Sequence, residues 1–238
     1  MNSRRLLILA AGFAAGAIGL VVALPAGATG QTNGVFIFST ATNEINAGTP
    51  NQGWWSLEDG ALAFDSNPNY VAGRDGVVPG TNHYRNFFTF DVTGATNPCA
   101  PSSALLSVQA ANGNQAAGFG GPASLAYGVF DVTTNALTLN HKSANPNTTI
   151  YNDLGGGTSY GGPYTLSTSV APTTTFNLAL NSNALGALAA AKANNLHFFS
   201  IGGAIVPTPS TAQSFLFGNS SAPATLTVTY PKLCKVFP

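Results

Sequence analysis

Residues 83–92, HYRNFFTFDV, form the stretch from which the fold can be predicted. Successive side chains of a strand point to opposite faces, and the more apolar face here carries Tyr84, Asn86, Phe88, Phe90 and Val92. Arg85 and Asp91 share the other face but lie roughly 20 Å apart along an extended strand, so they cannot pair with each other. We predict that each charge binds a neighbouring strand or loop and has a structural role.

Short β-like runs recur on both sides of this stretch, among them 35–38, 104–110, 125–132, 136–139, 174–180 and 224–230. Clusters rich in Gly, Pro and Asn separate them, and these residues interrupt strands. The glycine-rich residues 155–162 are predicted to be a loop. Many short strands without alternating long helices predict an all-β fold, either an antiparallel β-sandwich or a barrel.

One helix is predicted within this β pattern. Ala184 to Ala193 is rich in Ala and Leu, the residues that favour helix most, and Asn183 can cap its first turn. We therefore expect one short connecting helix between two strands.

The N-terminus has the three parts of an export signal. Arg4 and Arg5 precede an apolar run from Leu6 to Leu24, and Ala26-Gly27-Ala28 supplies the small residues of a cleavage site. We expect residues 1–28 to be a signal peptide and residues 29–238 to form one domain, secreted to the extracellular space or cell surface. The apolar run is also close to the length of a membrane span, so an uncleaved anchor is the alternative.

Charge excludes two classes of partner. Of 8 Lys and Arg residues, removal of Arg4 and Arg5 leaves 6 against 8 Asp and Glu, a mature net charge of −2. That charge is too small and has the wrong sign to attract nucleic acid or an anionic membrane.

Cys99 and Cys234 are the only cysteines. Export would place them in an oxidising compartment, where an even number of cysteines usually pairs. We predict a Cys99–Cys234 disulfide; the loop of about 136 residues that it closes would stabilise the fold by roughly 5 kcal/mol at most.

Trp54 and Trp55 are the best candidates for ligand contact. The sequence predicts that they lie in a polar loop, and apolar rings beside polar groups suit stacking on sugar faces. The candidate binding residues are Asn51, Trp54, Trp55, Glu58 and Asp59. In the alternative interpretation, one ring packs inward and closes the end of the sandwich.

Asp65, Asn67 and Asn69 are spaced like the first ligands of a calcium loop. Tyr70 and Gly76 stand where an EF-hand needs Gly and a bidentate Glu, so an EF-hand is excluded. We expect no cofactor, with a looser structural calcium site as the one exception.

Residues 157–161, GTSYG, match the Gly-x-Ser-x-Gly nucleophile elbow. An elbow needs a strand before the serine and a helix after it, and Gly162-Pro163 cannot start a helix. His197 follows Ser159, but no acidic residue does. A hydrolase that uses Ser159 or Glu58-Asp59 therefore ranks last among the functions considered.

The chain resembles the DNRLRE-type secreted domains. The similarity is carried by Arg85–Val92, Ala104–Val108 and the closing stretch Phe217–Tyr230. A closer resemblance is to uncharacterised exported bacterial proteins, many with a C-terminal sorting tail, and is carried by 85–92, 130–132, 153–161, the helix from Ala184, and Phe199–Ala204. The resemblance implies a jelly-roll module with a binding or structural role.

These observations lead to two expected functions. The first is an exported, non-catalytic module that contacts polysaccharide or other cell-surface material through loop aromatics. The second is a purely structural surface or matrix protein that has no small ligand.

Overall fold

The computed structural model describes residues 28–32, 34–41, 45, 50–58, 69–76, 82–95, 97, 99–111, 120–141, 147–194, 196–209, 213–218 and 220–231. In chain order the strands are β1 (Ala28–Thr32), β2 (Val35–Ser39), β3 (Gln52–Ser56), β4 (Ala72–Arg74), β5 (His83–Asp91), β6 (Ser103–Gln109), β7 (Ser124–Asp131), β8 (Ser159–Ser167), β9 (Thr175–Ala179), β10 (Phe198–Ile205), β11 (Ser214–Leu216) and β12 (Thr225–Thr229). The helices are α1 (Ala136–Asn140), α2 (Thr148–Gly156) and α3 (Ser182–Ala193).

The strands form two sheets with antiparallel pairing throughout. The first sheet has the order β1-β2-β12-β6-β9. The second has the order β11-β4-β5-β10-β7-β8, and β3 also pairs with β5. The predicted antiparallel β-sandwich is confirmed.

The main core lies between the two sheets. It is built from alternate residues of facing strands, including Phe36, Phe38, Phe88, Phe90, Leu106, Val108, Ile201, Leu226 and Val228. Burial of these apolar side chains is the main stabilising contribution to the fold.

The opposite face of β5 is buried as well. Phe87 belongs to a second apolar cluster with Trp55, Leu139, Ile150 and Leu154, which α1, α2 and β3 supply. Residues 86–91 are therefore buried on both faces of the sheet. They lie between the first sheet on one side and the helices α1 and α2 on the other.

The prediction of one helix is wrong in number. α3 connects β9 to β10 as predicted, but α1 occupies residues 136–139, which were predicted to be a strand. Residues 155–162, predicted to be a loop, are divided between the end of α2 and the start of β8. The reason is local capping: Asn135 and Asn147 each accept a backbone N–H of the helix that follows.

The cap of α3 also differs from the prediction by two residues. Asn181, not Asn183, accepts the backbone N–H groups of Asn183 and Ala184. Asn183 lies inside the first turn, and its side chain donates to the carbonyl oxygen of Ser159 at 3.2 Å. The helix therefore begins earlier than its alanine-rich segment suggests.

Two adjacent glycines of β10 let neighbouring groups approach closely. A Cβ on Gly202 would collide with the backbone of Leu154 in α2, and a Cβ on Gly203 would collide with the side chains of Tyr127 and Asn86. Gly202 therefore allows α2 to pack closely against the sheet, and Gly203 leaves room for the buried hydrogen bond between Tyr127 and Asn86.

Arg85 and Asp91 have separate partners. Arg85 Nη1 donates to the carbonyl oxygens of Tyr151 at 3.0 Å and Asn152 at 3.1 Å, and its guanidinium lies 4.4 Å from the centre of the Tyr151 ring. Asp91 Oδ1 accepts from the backbone N–H and hydroxyl of Thr93 at 2.9 and 2.6 Å. Arg85 thus attaches α2 to the sheet, while Asp91 caps a local turn.

Several predictions fall outside the described residues. Residues 1–27 of the predicted signal peptide are not among them, and Ala28 is the first residue of β1. Cys99 is buried, and its Sγ lies 3.8 Å from the carbonyl oxygen of Pro231, but Cys234 lies outside the described residues and the disulfide stays a prediction. Among the described residues, no helix has the length and apolar character needed to cross a bilayer.

Candidate functional site

Trp54 and Trp55 were predicted to lie in a loop, but they lie in strand β3. Trp54 stands opposite Asn86 and Trp55 opposite Arg85, so the two rings point to opposite faces of the sheet. Both are buried, with 8% of Trp54 and 2% of Trp55 exposed. Aromatic residues favour strands, and this preference together with the pairing of β3 to β5 overrides the turn-forming residues around the two tryptophans.

The polar neighbours of the tryptophans are separated from each other. Asn51 is fully buried; its backbone N–H donates to Thr40 and its carbonyl oxygen accepts from Thr89. Glu58 is exposed and contacts His83, with a distance of 2.7 Å between Oε1 and Nδ1. Asp59 lies outside the described residues. The predicted rim of Asn51, Glu58 and Asp59 around paired tryptophans is therefore wrong for Asn51.

The structure forms a different cleft on the Trp54 side of β3. Its volume is about 290 Å³, and its lining residues are Trp54, Asn69, Val71, Asp75, Tyr84, Phe215 and Gly218. We call it the aromatic cleft. Tyr84 and Phe215 are half-buried and pack against the buried Trp54 and Val71. A volume near the lower limit for ligand pockets suits one ring-sized group rather than a large cofactor.

Hydrogen bonds hold the walls of the aromatic cleft in place. Trp54 Nε1 donates to Asn69 Oδ1 at 2.7 Å, and Asn69 Nδ2 donates to the carbonyl oxygen of Gly218 at 2.8 Å. Trp54 and Tyr84 meet edge to face with ring centres 4.9 Å apart. The arrangement is therefore largely preformed, which lowers the entropy cost of binding.

Asp75 is fixed at the rim of the same cleft. Its Oδ2 accepts from the Tyr84 hydroxyl at 2.7 Å, and its Oδ1 accepts from the backbone N–H of Asn82 at 3.0 Å. The side-chain amide of Gln213 donates to the Asp75 carbonyl oxygen at 2.8 Å. Asp75 is exposed, so its carboxylate remains accessible to a ligand.

Trp55 lines a separate, larger cleft of about 490 Å³ on the helical side of β3. Its other described lining residues are Ile45, Leu137, Thr138, His141, Asn147 and Ile150. Trp55 is buried, and its Nε1 donates to the carbonyl oxygen of Leu139 at 3.1 Å. Trp55 therefore belongs to the packing between sheet and helices, as in the inward-packing alternative.

The serine motif does not form a nucleophile elbow. Ser159 follows helix α2 and starts strand β8, the reverse of the strand-then-helix order that an elbow needs. Its hydroxyl lies 3.5 Å from the carbonyl oxygen of Gly161. His197 lies elsewhere, with its carbonyl oxygen accepting from Val92 at the end of β5.

The predicted calcium ligands are only partly described. Asp65 and Asn67 lie outside the described residues, whereas Asn69 lines the aromatic cleft. Within the part of the chain that the structure describes, no three His, Cys, Asp or Glu side chains cluster to hold a metal. The structural calcium site stays a prediction.

Four of the side chains that form the cleft were not predicted as site residues: Val71, Asp75, Tyr84 and Phe215. They come from three separate strands or strand ends, which only the pairing of β4 with both β5 and β11 brings together. Tyr84 could have been suspected, because it is a polar-tipped aromatic at the half-buried start of β5. No family model matches this chain, and no curated protein matches it significantly.

Proposed function

We propose that this protein is an exported, non-catalytic β-sandwich module that binds carbohydrate in the aromatic cleft. One observation carries the proposal: the rings of Trp54, Tyr84 and Phe215 share a cleft with an amide and a carboxylate. Sugars combine an apolar face of C–H groups with a rim of hydroxyls, and they are recognised by this combination of rings and polar groups.

The size of the cleft supports contact with a single sugar unit. At about 290 Å³ it is at the small end of ligand pockets, so most of a glycan chain would lie outside it. Binding of one unit with few contacts gives modest affinity, and repeated units on a polysaccharide would raise the retention of the protein.

The experiment is calorimetric titration of the folded protein with soluble oligosaccharides, combined with a pull-down on insoluble polysaccharides. Phe215→Ala removes a half-buried ring from the cleft and should weaken binding at least tenfold, the loss expected for about 1.5 kcal/mol of stacking. Phe198→Ala is the matched control, because Phe198 is also a half-buried strand phenylalanine but does not line the cleft.

Two results would overturn the proposal. One is equal binding by the Phe215→Ala and Phe198→Ala variants, which would place the contact elsewhere. The other is retention on no polysaccharide at all; self-assembly at micromolar concentration would then favour the purely structural role.

A further inference from the structure

We infer that the aromatic cleft prefers a sugar that carries a primary amine to a neutral sugar, and a neutral sugar to one that carries a carboxylate. This inference rests on the proposed function, since it names the class of carbohydrate that the same cleft would take. It follows from the charge of the cleft and from the hydrogen-bonding positions that its residues leave open.

The charge of the cleft supports this preference. Among the described residues that line the cleft, Asp75 carries the only charge. The nearest basic side chains along the paired strands point away from it: Gly73 stands opposite Tyr84, whereas Arg74 stands opposite His83. Because adjacent strand residues point to opposite faces, Arg74 and His83 lie on the face away from Tyr84. The cleft is therefore negative, which favours a cation and opposes a carboxylate.

The hydrogen-bonding positions that Asp75 and Asn69 leave open support the same preference. Each carboxylate oxygen of Asp75 accepts one bond from the protein, and a carboxylate oxygen can accept two. Asn69 Oδ1 likewise accepts one bond, from Trp54, and has a second lone pair. The Tyr84 hydroxyl gives its one proton to Asp75, so this hydroxyl does not donate to a ligand.

Among the described side chains that line the cleft, free donors are fewer than free acceptors. The Trp54 N–H is used by Asn69, and one of the two Asn69 N–H groups is used by Gly218. One N–H of Asn69 remains to donate to a ligand. The orientation of the Asn69 amide is fixed because Trp54 can only donate and the Gly218 carbonyl can only accept. A ligand rich in N–H and O–H donors therefore fits better than one that offers carboxylate oxygens.

The test compares three soluble oligosaccharides that have the same length and the same β-1,4 linkage. They are glucosamine oligomers, cello-oligosaccharides and uronic acid oligomers. Titrations are made with the intact protein at mildly acidic pH, where the glucosamine amine is protonated. We expect glucosamine oligomers to bind roughly fivefold more tightly than cello-oligosaccharides, because an exposed ion pair contributes a free energy of about that size. The uronic acid oligomer should bind most weakly. Added salt should narrow the difference.

Asp75→Asn isolates the charge. Asparagine has the shape of aspartate, and its one oxygen can still accept from Tyr84, while the second bond, from the Asn82 N–H, is lost. In this variant the three oligosaccharides should bind within about twofold of each other, because the charge that distinguishes them is gone. Glu58→Gln is the control, because Glu58 is an exposed carboxylate that does not line the cleft.

The outcomes distinguish the two proposals. If the neutral oligosaccharide binds and the Phe215→Ala variant loses that binding, the proposed function stands. Equal or reversed preference for amine and carboxylate, or a preference that survives Asp75→Asn, would then overturn the further inference alone. If none of the three oligosaccharides binds, both proposals fail.

Discussion

Trp54 and Asn69 are joined by a 2.7 Å hydrogen bond from the indole Nε1 to the amide Oδ1. Asn69 in turn donates to the carbonyl oxygen of Gly218, so one side chain ties the ring of β3 to the segment that follows β11. The wall of the aromatic cleft and the stability of this end of the sandwich therefore depend on the same residue.

Replacement of Asn69 by Ala should affect both properties. The nearly buried indole N–H and the Gly218 carbonyl lose their partners, and we expect the free energy of unfolding to fall by about 2 kcal/mol and glycan affinity to fall with it. Urea denaturation and calorimetric titration measure the two effects. Asn177→Ala is the control, because Asn177 accepts from Ser107 on an exposed surface, and a comparable loss in that variant would contradict the account.

A buried hydrogen-bond pair below the cleft should contribute more to stability. Asn86 Nδ2 donates to the carbonyl oxygen of Tyr70 and its Oδ1 accepts from the Tyr127 hydroxyl, each at 2.7 Å. Burial raises the pKa of the Tyr127 hydroxyl above its usual value, and Asn86 partly offsets this. We expect Asn86→Ala to cost about 3 kcal/mol in the free energy of unfolding.

A double-mutant cycle tests this pair directly. In the Tyr127→Phe background the hydroxyl is already absent, so Asn86→Ala should cost clearly less than it does in the wild-type protein. Equal costs in both backgrounds, measured by chemical denaturation, would show that the two side chains are not coupled.

Asp153 should make stability depend on acid pH. Burial raises the pKa of its carboxyl, but the hydroxyl and backbone N–H donors of Thr134 and Thr133 outweigh burial and lower that pKa from its usual value. A carboxyl with a lowered pKa stabilises the fold fully above its unfolded pKa of about 4, and this stabilisation is lost as the pH falls through the folded pKa.

The measurement is the melting temperature from neutral pH down through the acid range, for the wild-type protein and Asp153→Asn. Because Asp153 is only half-buried, we expect its contribution to be about 1 kcal/mol, present at neutral pH and lost below roughly pH 4. The variant should therefore be less stable near neutrality and should approach the wild-type protein in acid. A constant difference across the range would contradict this prediction.

Gly202 should not tolerate even one added carbon. A Cβ there would meet the backbone of Leu154, so α2 would have to move off the sheet, and we expect Gly202→Ala to cost about 2 kcal/mol in the free energy of unfolding. Gly186 is the contrasting position: it lies in α3 with no atom within 4 Å of an added Cβ. Gly186→Ala should stabilise the protein by up to about 1 kcal/mol. If Gly202→Ala and Gly186→Ala had similar effects on the free energy of unfolding, the close packing of α2 against Gly202 would be contradicted.

The sandwich itself could be predicted because its signals are local. The apolar alternation of Phe88 and Phe90, and the glycine and proline clusters between runs, indicate strands directly. The alanine-rich segment of α3 likewise indicates a helix from composition alone. Its first residue was missed because Asn181 and Asn183 are both acceptable caps, and only the path of the chain from β9 selects the first.

The aromatic cleft could not be predicted because its residues meet only through strand pairing. Trp54, Asp75 and Phe215 are distant in sequence and converge when β5 pairs with β3 and β4, and β4 pairs with β11. The helical layer was missed for a related reason. The five residues of α1 are too few for a periodic pattern, and besides the Asn135 cap their helical form depends on packing of Leu139 against Trp55 and Phe87.

The most direct test of the central claim is the tryptophan fluorescence of the Trp55→Phe variant, which leaves Trp54 as the only emitter. Folding of the variant is first checked by circular dichroism. If Trp54 lines a carbohydrate site, titration with glucosamine oligomers should change the emission saturably, with the same dissociation constant as calorimetry gives. No change on titration, or a saturable change in the Trp54→Phe variant as well, would contradict the account.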